Sequence, residues 1–420
     1  RNKVAVSEVA AGSPPFWRTI ISNITSTRIH HKLTEEIKKQ TIFSSASFYK
    51  ENLMRNEIVN IAEEIKNISN LKNELEYLEK SDLPLILYGA AEMAHIVKRF
   101  LDKNNIKIDS VVVDNEYWRP NMKFYEFDIQ PLENVLDNNI KMNIILAFAG
   151  INNNERTKQL NEMPNVQKCL FFDASIGLFF LDSDFFNKNY SVIADTYNLL
   201  EDDLSRKIML EFLKAKILME PKELVKLNIA NEYQYFPDFL PLLDNETFVD
   251  CGAYIGDTIE TFLNKTNSKF NKIFAFEPDP SNYEKCKKIV ADCGKNGIVL
   301  IEKGVWEEEK TIVFSIGAHN YDSRISESGN VKIEVDSIDN VCRNEKVTFI
   351  KMDVEGSELQ ALNGAKNQIT ANKPKLAICV YHKKEDLITI PQYILSLNPD
   401  YKLYLRHYGR FCTELVLYAI

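Results

Sequence analysis

The sequence predicts an α/β protein, with two units of alternating strands and helices behind a helical N-terminal segment. Three observations predict it. Short apolar runs ending in Gly or Asp alternate with helical patterns in two separate stretches, which implies mostly parallel sheets covered on both faces. A strand, a glycine turn and a helix follow one another across residues 247–262. The last two apolar runs are joined by only four residues, too few for a parallel crossover.

At 420 residues the chain exceeds one ordinary core. Residues 1–82 form the helical segment, polar and poor in Gly. Within it Ile58, Ile61, Ile65, Ile68, Leu71, Leu75 and Leu78 recur at three- and four-residue spacing. That stripe reads as a lead-in packed on the next domain, and it would also suit a homodimer. Residues 83–195 form a small Rossmann-like unit: LPLILYG ends at Gly89, Ala91 to Leu101 reads as a helix, and DSVVVDN carries Asp114. MNIILAFAG (142–150) and CLFFD, ending at Asp173, complete its strands. Residues 196–245 are helix and connector. Leu200, Leu204, Ile208, Phe212, Ala215 and Leu218 predict one amphipathic helix over 195–220, and Pro221, Pro237 and Pro241 punctuate the connector. The second α/β unit occupies 246–420.

Composition narrows the class. Hydrophobic residues are 45% and charged residues 26% of the chain, with a formal net charge of -9. That is a folded chain without the dense basic face a nucleic-acid binder needs. Seven dispersed cysteines with no CxxC pair read as reduced thiols in a cytoplasmic protein, not a disulfide framework or zinc site. No apolar run approaches the roughly 18 residues needed to span a bilayer, and no secretory signal pattern is present.

The chemistry concentrates in TFVDCGAYIGDTIETF. Thr247 to Asp250 is a buried strand, Gly252 and Gly256 mark a turn, and Asp257 or Thr258 is expected to cap the next helix. Such a unit offers free N–H groups and close backbone approach to a nucleotide-like ligand. About 20 residues further on, KIFAFEP ends near Glu277, placed to accept ribose hydroxyls. Downstream come IVLIEKGVW, an inserted hairpin around TIVFSI and KIEVDSI, and VTFIKMDVEGSE. Asp353 and Glu355 fall at a strand's carboxyl end, the functional edge of an open α/β sheet. LAICVYH places His382 on the same edge. The terminal runs YKLYLRHY and TELVLYAI then form an antiparallel hairpin. A parallel sheet closed by a reversed last strand is the plan of S-adenosylmethionine-dependent methyltransferases.

DCGAYIGDT, FEPDP, DSID and IKMDVEGSELQALNGA together resemble the FkbM family of methyltransferases over about residues 240–420. The resemblance implies a seven-stranded mixed sheet with the last strand antiparallel, S-adenosylmethionine as donor, and O-methylation of a sugar or glycan-related small acceptor. It implies donor contacts at Asp250, Gly252, Ala253, Gly256, Asp257, Thr258 and Glu277, and the expected donor site also takes in Tyr254, Pro278, Gly304 and Val305. Ala253-Tyr254 departs from the central glycine common in such turns. The first unit also resembles, more loosely, Rossmann-like domains of bacterial glycan-modifying proteins.

Transfer to a hydroxyl needs a proton acceptor, for which Asp353, Glu355 and His382 are the candidates. Asp353, Glu355 and Glu358 carry oxygens of the kind Mg²⁺ takes, although acids at a helix start also answer to its dipole. His319, Asn320 and Tyr321 sit in the inserted hairpin, where they could cover the acceptor. Two other readings compete. One is an NAD-dependent sugar-nucleotide oxidoreductase or epimerase using the first unit. There Gly89-Ala90-Ala91 is not GxGxxG and no Tyr-x-x-x-Lys pair occurs. The other is a non-catalytic nucleotide-fold binding module, against which stand the glycine turn, Glu277 and DVEGSE together.

Overall fold

Leu71–Lys80 forms helix α1, the end of the expected N-terminal helix. The computed structural model describes residues 71–137, 140–148, 153–172, 179–218, 221–230, 234–315, 324–325 and 331–420. All belong to one unit of the chain, Ile61–Ile420. The stripe from Ile58 to Ile68 and the trio His319, Asn320 and Tyr321 lie outside the described residues.

The first sheet is built from β1 (Leu85–Tyr88), β2 (Ser110–Val113), β3 (Lys123–Phe124), β4 (Phe127–Pro131), β5 (Met142–Leu146) and β6 (Val166–Phe171). Its order is β3-β4-β2-β1-β5-β6, parallel except for the β3–β4 pair. Helices α2 (Glu92–Lys103), α3 (Leu132–Leu136) and α4 (Asn153–Asn161) connect these strands. Leu85, Ile86, Leu87 and Tyr88 are all buried, as a strand covered on both faces must be. Strand β4 has no continuous apolar run, and FDIQP reads as loop. It pairs with β2 through Ile129 to Pro131 and with β3 through Phe127 and Asp128, and its proline falls at the strand's last residue.

Two helices, α5 (Ser183–Leu199) and α6 (Asp203–Leu218), occupy the span expected to be one helix. The apolar period runs on, but Leu200 is extended (ψ 133) and Asp202 starts a new helix, its Oδ1 accepting from Ser205 N at 2.7 Å. Helix α6 covers the edge of the second sheet. Ser205 Oγ accepts from Leu405 N at 2.8 Å, and Arg406 Nη2 donates to Asp202 Oδ2 at 2.6 Å. A short α7 (Lys222–Val225) comes next.

The second unit contains β7 (Thr247–Cys251), α8 (Asp257–Lys265), β8 (Lys272–Phe276), α9 (Pro280–Cys293) and β9 (Ile298–Ile301). After these come β10 (Gly304–Val305), β11 (Lys310–Ser315), β12 (Arg324–Ile325), β13 (Val331–Asp336), α10 (Ile338–Val341) and β14 (Phe349–Met352). It ends with α11 (Glu358–Asn363), α12 (Lys366–Asn372), β15 (Lys375–Cys379), α13 (Asp386–Leu397), β16 (Leu403–His407) and β17 (Leu415–Ala419). Seven strands pair in the order β16-β17-β15-β14-β7-β8-β9. They run parallel except β17, which lies antiparallel between β15 and β16. This is the mixed sheet with a reversed last strand that the terminal hairpin predicts. The inserted hairpin is present as β11 and β13, antiparallel in a separate four-stranded sheet with β10 and β12.

Under the sheet, Phe248 stacks on Phe262 and on Phe349, with centroids 4.7 and 5.0 Å apart, and Phe236 from the connector packs edge-on to Phe349 at 5.7 Å. Each fully buried Phe contributes about 2–3 kcal/mol by removal from water. Phe236 thereby ties the connector to the sheet and fixes its neighbour Tyr235 at the sheet's edge. None of the seven cysteines is in a disulfide. Among the described residues no helix is long and apolar enough to cross a membrane.

Candidate active site

At the carboxyl ends of β7, β8 and β14 lies a cavity of about 340 Å³, within the range of small-molecule sites. One end is built by the turn from β7 into α8. Gly252 has φ +81, and a Cβ there would lie 2.0 Å from the carbonyl oxygen of Asp353, so only glycine lets β7 and β14 come this close. Gly256, with φ +96, occupies the N-cap of α8, and no side chain caps that helix. The expected capping by Asp257 or Thr258 is therefore not what the chain does. Asp257 is the first helical residue, where the dipole favours its charge.

Free N–H groups are also expected of this turn, yet four of them are used internally. Gly252 N and Ala253 N donate to Phe276 O at 3.0 and 2.9 Å, and Gly256 N donates to Ala253 O at 2.8 Å. Tyr254 N donates to Glu277 Oε2 at 2.8 Å, while Asp279 N donates to Glu277 Oε1 at 2.9 Å. Burial pushes the Glu277 carboxyl up to about 7, and these two N–H bonds pull against it. Glu277 is thus a rigidly aimed acceptor at the cavity wall.

Beneath the turn, Lys351 stands opposite Asp250 in the β14–β7 register. Its Nζ lies 3.0 Å from Asp250 Oδ1 and donates to Gly252 O at 2.7 Å. Both side chains are buried. Burial pulls Lys351 down, but the charges of Asp250 and Asp353 outweigh this and hold it protonated. One buried cation thereby joins the strand pair to the carbonyl of the glycine turn.

The other end is acidic. Asp353 follows β14, Glu355 and Gly356 turn with φ +54 and +91, and Glu358 opens α11. Tyr235 OH donates to Asp353 Oδ2 at 2.8 Å. Glu414 Oε2 accepts from Gln234 Nε2 at 2.6 Å, and its Oε1 accepts from Tyr381 OH at 3.3 Å. His382 is buried, so it is no surface histidine. Its Nδ1 lies 2.7 Å from Glu358 Oε1, and its Nε2 lies 3.4 Å from Asp353 Oδ1 and 3.5 Å from Glu355 Oε2. Burial would lower the imidazole, but Glu358 foremost, with Glu355 and Asp353, raises it to about 10. Burial also lifts Glu355 to about 8, with His382 opposing.

Of the residues singled out from sequence, Gly252, Tyr254, Asp257, Thr258, Glu277, Pro278, Gly304, Val305, Asp353 and Glu355 line the cavity. Asp250, Ala253, Gly256 and His382 stand behind its wall. Glu358 is the first residue of α11 and fully buried against His382. Reading the sequence missed Gln234, Tyr235, Lys351, Tyr381 and Glu414. A charged residue inside the apolar run VTFIKM was a usable signal for Lys351. Nothing local marks Tyr235, which comes from the connector. Of ten non-glycine residues with positive φ among those described, Tyr235, Tyr254, Glu355 and Glu414 line this one cavity, a concentration of backbone strain typical of functional sites.

The strand order, with its reversed last strand, is the fold of S-adenosylmethionine-dependent methyltransferases. Residues 250–410 match the model of the methyltransferase FkbM domain, which implies S-adenosylmethionine-dependent methyl transfer. A crystal structure of methyltransferase FkbM from Methylobacillus flagellatus KT is similar over 88% of this chain and 100% of its own, at 22% identity and a TM-score of 0.72. That likeness extends the shared fold to the first unit. An rRNA methylase from Streptococcus thermophilus is 16% identical over 42% of this chain and 87% of its own, with a TM-score of 0.29. Fibrillarin from Aeropyrum pernix, with natively bound S-adenosyl-L-methionine, is 12% identical over 43% and 70%, with a TM-score of 0.28. No curated protein matches the chain.

Proposed function

We propose that this enzyme methylates a hydroxyl of a sugar or glycan-related small acceptor, in the cytoplasm. The observation that carries the reading is that one cavity joins the glycine turn and Glu277 to the Asp353–Glu355 cluster. S-adenosylmethionine, when bound, supplies a methyl carbon on a sulfonium centre. In this reading Glu277 accepts the ribose hydroxyls, and Gly252, Tyr254, Asp257, Thr258, Pro278, Gly304 and Val305 shape the donor's place. Lys351 and Asp250 hold the turn from behind.

The acceptor lies between Tyr235, Tyr381, Asp353, Glu355 and Glu414. Carboxylates accept hydroxyl hydrogens and tyrosine rings cover apolar C–H faces, a combination suited to a sugar and hostile to an anionic group. During transfer the acceptor O–H gives its proton to Asp353 or Glu355. Its oxygen forms a bond to the methyl carbon, the C–S bond breaks with its electrons going to sulfur, and S-adenosylhomocysteine leaves. Alignment by the cavity and proton removal by the carboxylates are what the chain contributes. His382, held among carboxylates, orients them and does not take the proton.

The test pairs calorimetric titration of S-adenosylhomocysteine with transfer of labelled methyl from S-adenosylmethionine to panels of sugars, nucleotide sugars, phenols and amines. Binding together with labelling of sugar hydroxyls is expected. Binding together with labelling of amines alone would overturn the acceptor assignment.

A further inference from the structure

We propose that Asp353, Glu358 and His382 form a divalent-cation site at the acceptor end of the cavity, of the kind that takes Mn²⁺ or Mg²⁺. The site is assembled from three neighbouring pieces of chain: the end of β14, the first residue of α11 and the segment after β15. The left-handed pair Glu355-Gly356 folds the chain back so that Glu358 lies against His382.

One ligand atom from each of the three residues lies within 4.8 Å of the other two. Glu358 Oε1 engages His382 Nδ1 at 2.7 Å, which orients the ring and turns Nε2 toward Asp353 Oδ1, 3.4 Å away. Atoms each bound at about 2.1 Å to one ion sit roughly 3 Å apart, so from within 4.8 Å of one another the three ligands would draw in around it.

A second observation is independent of that spacing. Asp353 Oδ1, Glu358 Oε2 and His382 Nε2 are all buried without a hydrogen-bond partner, and the Glu358 and His382 side chains are more than nine-tenths buried. Buried polar atoms are ordinarily satisfied, so three orphans on three touching side chains call for a common partner. The two carboxylate oxygens offer lone pairs, and Nε2 offers one once a cation displaces its proton, so one ion satisfies all three at once.

Charge points the same way. Asp353, Glu355, Glu358 and Glu414 converge here, and the buried Lys351 beside them is matched by Asp250. Two carboxylates and one imidazole form a mixed oxygen–nitrogen set, which suits Mn²⁺ and admits Mg²⁺. With Asp353 on the ion, an acceptor hydroxyl oxygen would complete the coordination, and Glu355 would be the carboxylate that takes its proton. This role rests on the methyltransferase reading; the cation site itself does not.

The experiment is titration of the metal-stripped full chain with Mn²⁺, followed by loss of the free-ion electron paramagnetic resonance signal. Calorimetry with S-adenosylhomocysteine runs alongside. One Mn²⁺ per chain is expected. Asp353→Asn and His382→Gln should each weaken it about 10–100-fold, with S-adenosylhomocysteine affinity kept within about threefold. Should either variant lose its fold, electron spin-echo modulation on the wild-type chain decides, through a histidine ¹⁴N coupling to the bound ion. A chain that binds S-adenosylhomocysteine but takes up no Mn²⁺, or Mn²⁺ bound without the ¹⁴N coupling, overturns the proposal. Mn²⁺ uptake with the ¹⁴N coupling but without S-adenosylhomocysteine binding supports the cation site and removes the donor reading instead.

Discussion

The two sheets of this protein open in the same way and end differently. In each, the strand that feeds the first glycine turn leads into a helix, and the next strand along the chain ends at an acid. Gly89 (φ +128) and Gly252 (φ +81) even solve the same steric problem. A Cβ would meet Ala147 O at 2.4 Å in the first sheet and Asp353 O at 2.0 Å in the second. The acids part company. Asp114 accepts from Tyr88 OH at 2.5 Å and lies 3.3 Å from Arg156 Nη2, both side chains of its own unit. Glu277 is held only by main-chain N–H groups of Tyr254 and Asp279, and its wall faces a cavity. The same strand–glycine–helix topology thus pairs one acid with side chains of its unit and holds the other by main chain at a cavity wall.

The largest effect is expected from substituting the two glycines. Gly252→Ala and Gly89→Ala each force a side chain onto a carbonyl at positive φ, and each is expected to cost about 4 kcal/mol or more. The two should differ in what ligand does. Thermal unfolding with and without S-adenosylhomocysteine should keep its ligand-induced shift in Gly89→Ala and lose it in Gly252→Ala. A retained shift in Gly252→Ala would mean that the turn is not part of the donor site.

A slightly smaller effect sharpens what supports the open end. Lys351→Met leaves Asp250 buried and unpaired, expected to cost about 3–5 kcal/mol. Adding Asp250→Asn should recover much of that stability, since it removes the stranded charge. Chemical denaturation of the single and double variants measures the coupling. Independent, additive losses would show that the 3.0 Å contact does not bind the two strands together.

Much of this was legible in the chain. The terminal hairpin announced the reversed strand β17 because four residues admit no other connection. Gly252, Glu277 and Asp353 announced the cavity because strand ends are where open sheets bind ligands. What could not be read was whatever long-range packing supplies. Tyr235 reaches Asp353 across 118 positions of sequence, carried there by Phe236 in the aromatic core. His382 could be placed at a strand end beside the charged run Lys383-Lys384-Glu385, and only the fold shows it buried against Glu358. The break between α5 and α6 was written locally as Asp202 three residues before Ser205, but an uninterrupted apolar period concealed it.

The smallest expected effects separate the two acids by their response to pH. Burial raises Glu277 to about 7, and ribose hydroxyls donate to its ionised form. Affinity for S-adenosylhomocysteine should therefore rise with pH through that range, by roughly tenfold from pH 6 to pH 8 if only the carboxylate binds. Glu277→Gln should flatten the profile at the weak level. Tyr88→Phe removes one hydrogen bond from Asp114 and should cost only about 1 kcal/mol of stability, with the affinity profile unchanged. Calorimetry at three pH values on the wild type and both variants checks this. A profile that is flat in the wild type would release Glu277 from the ribose. A profile altered by Tyr88→Phe would mean that the two sheets' edges are coupled.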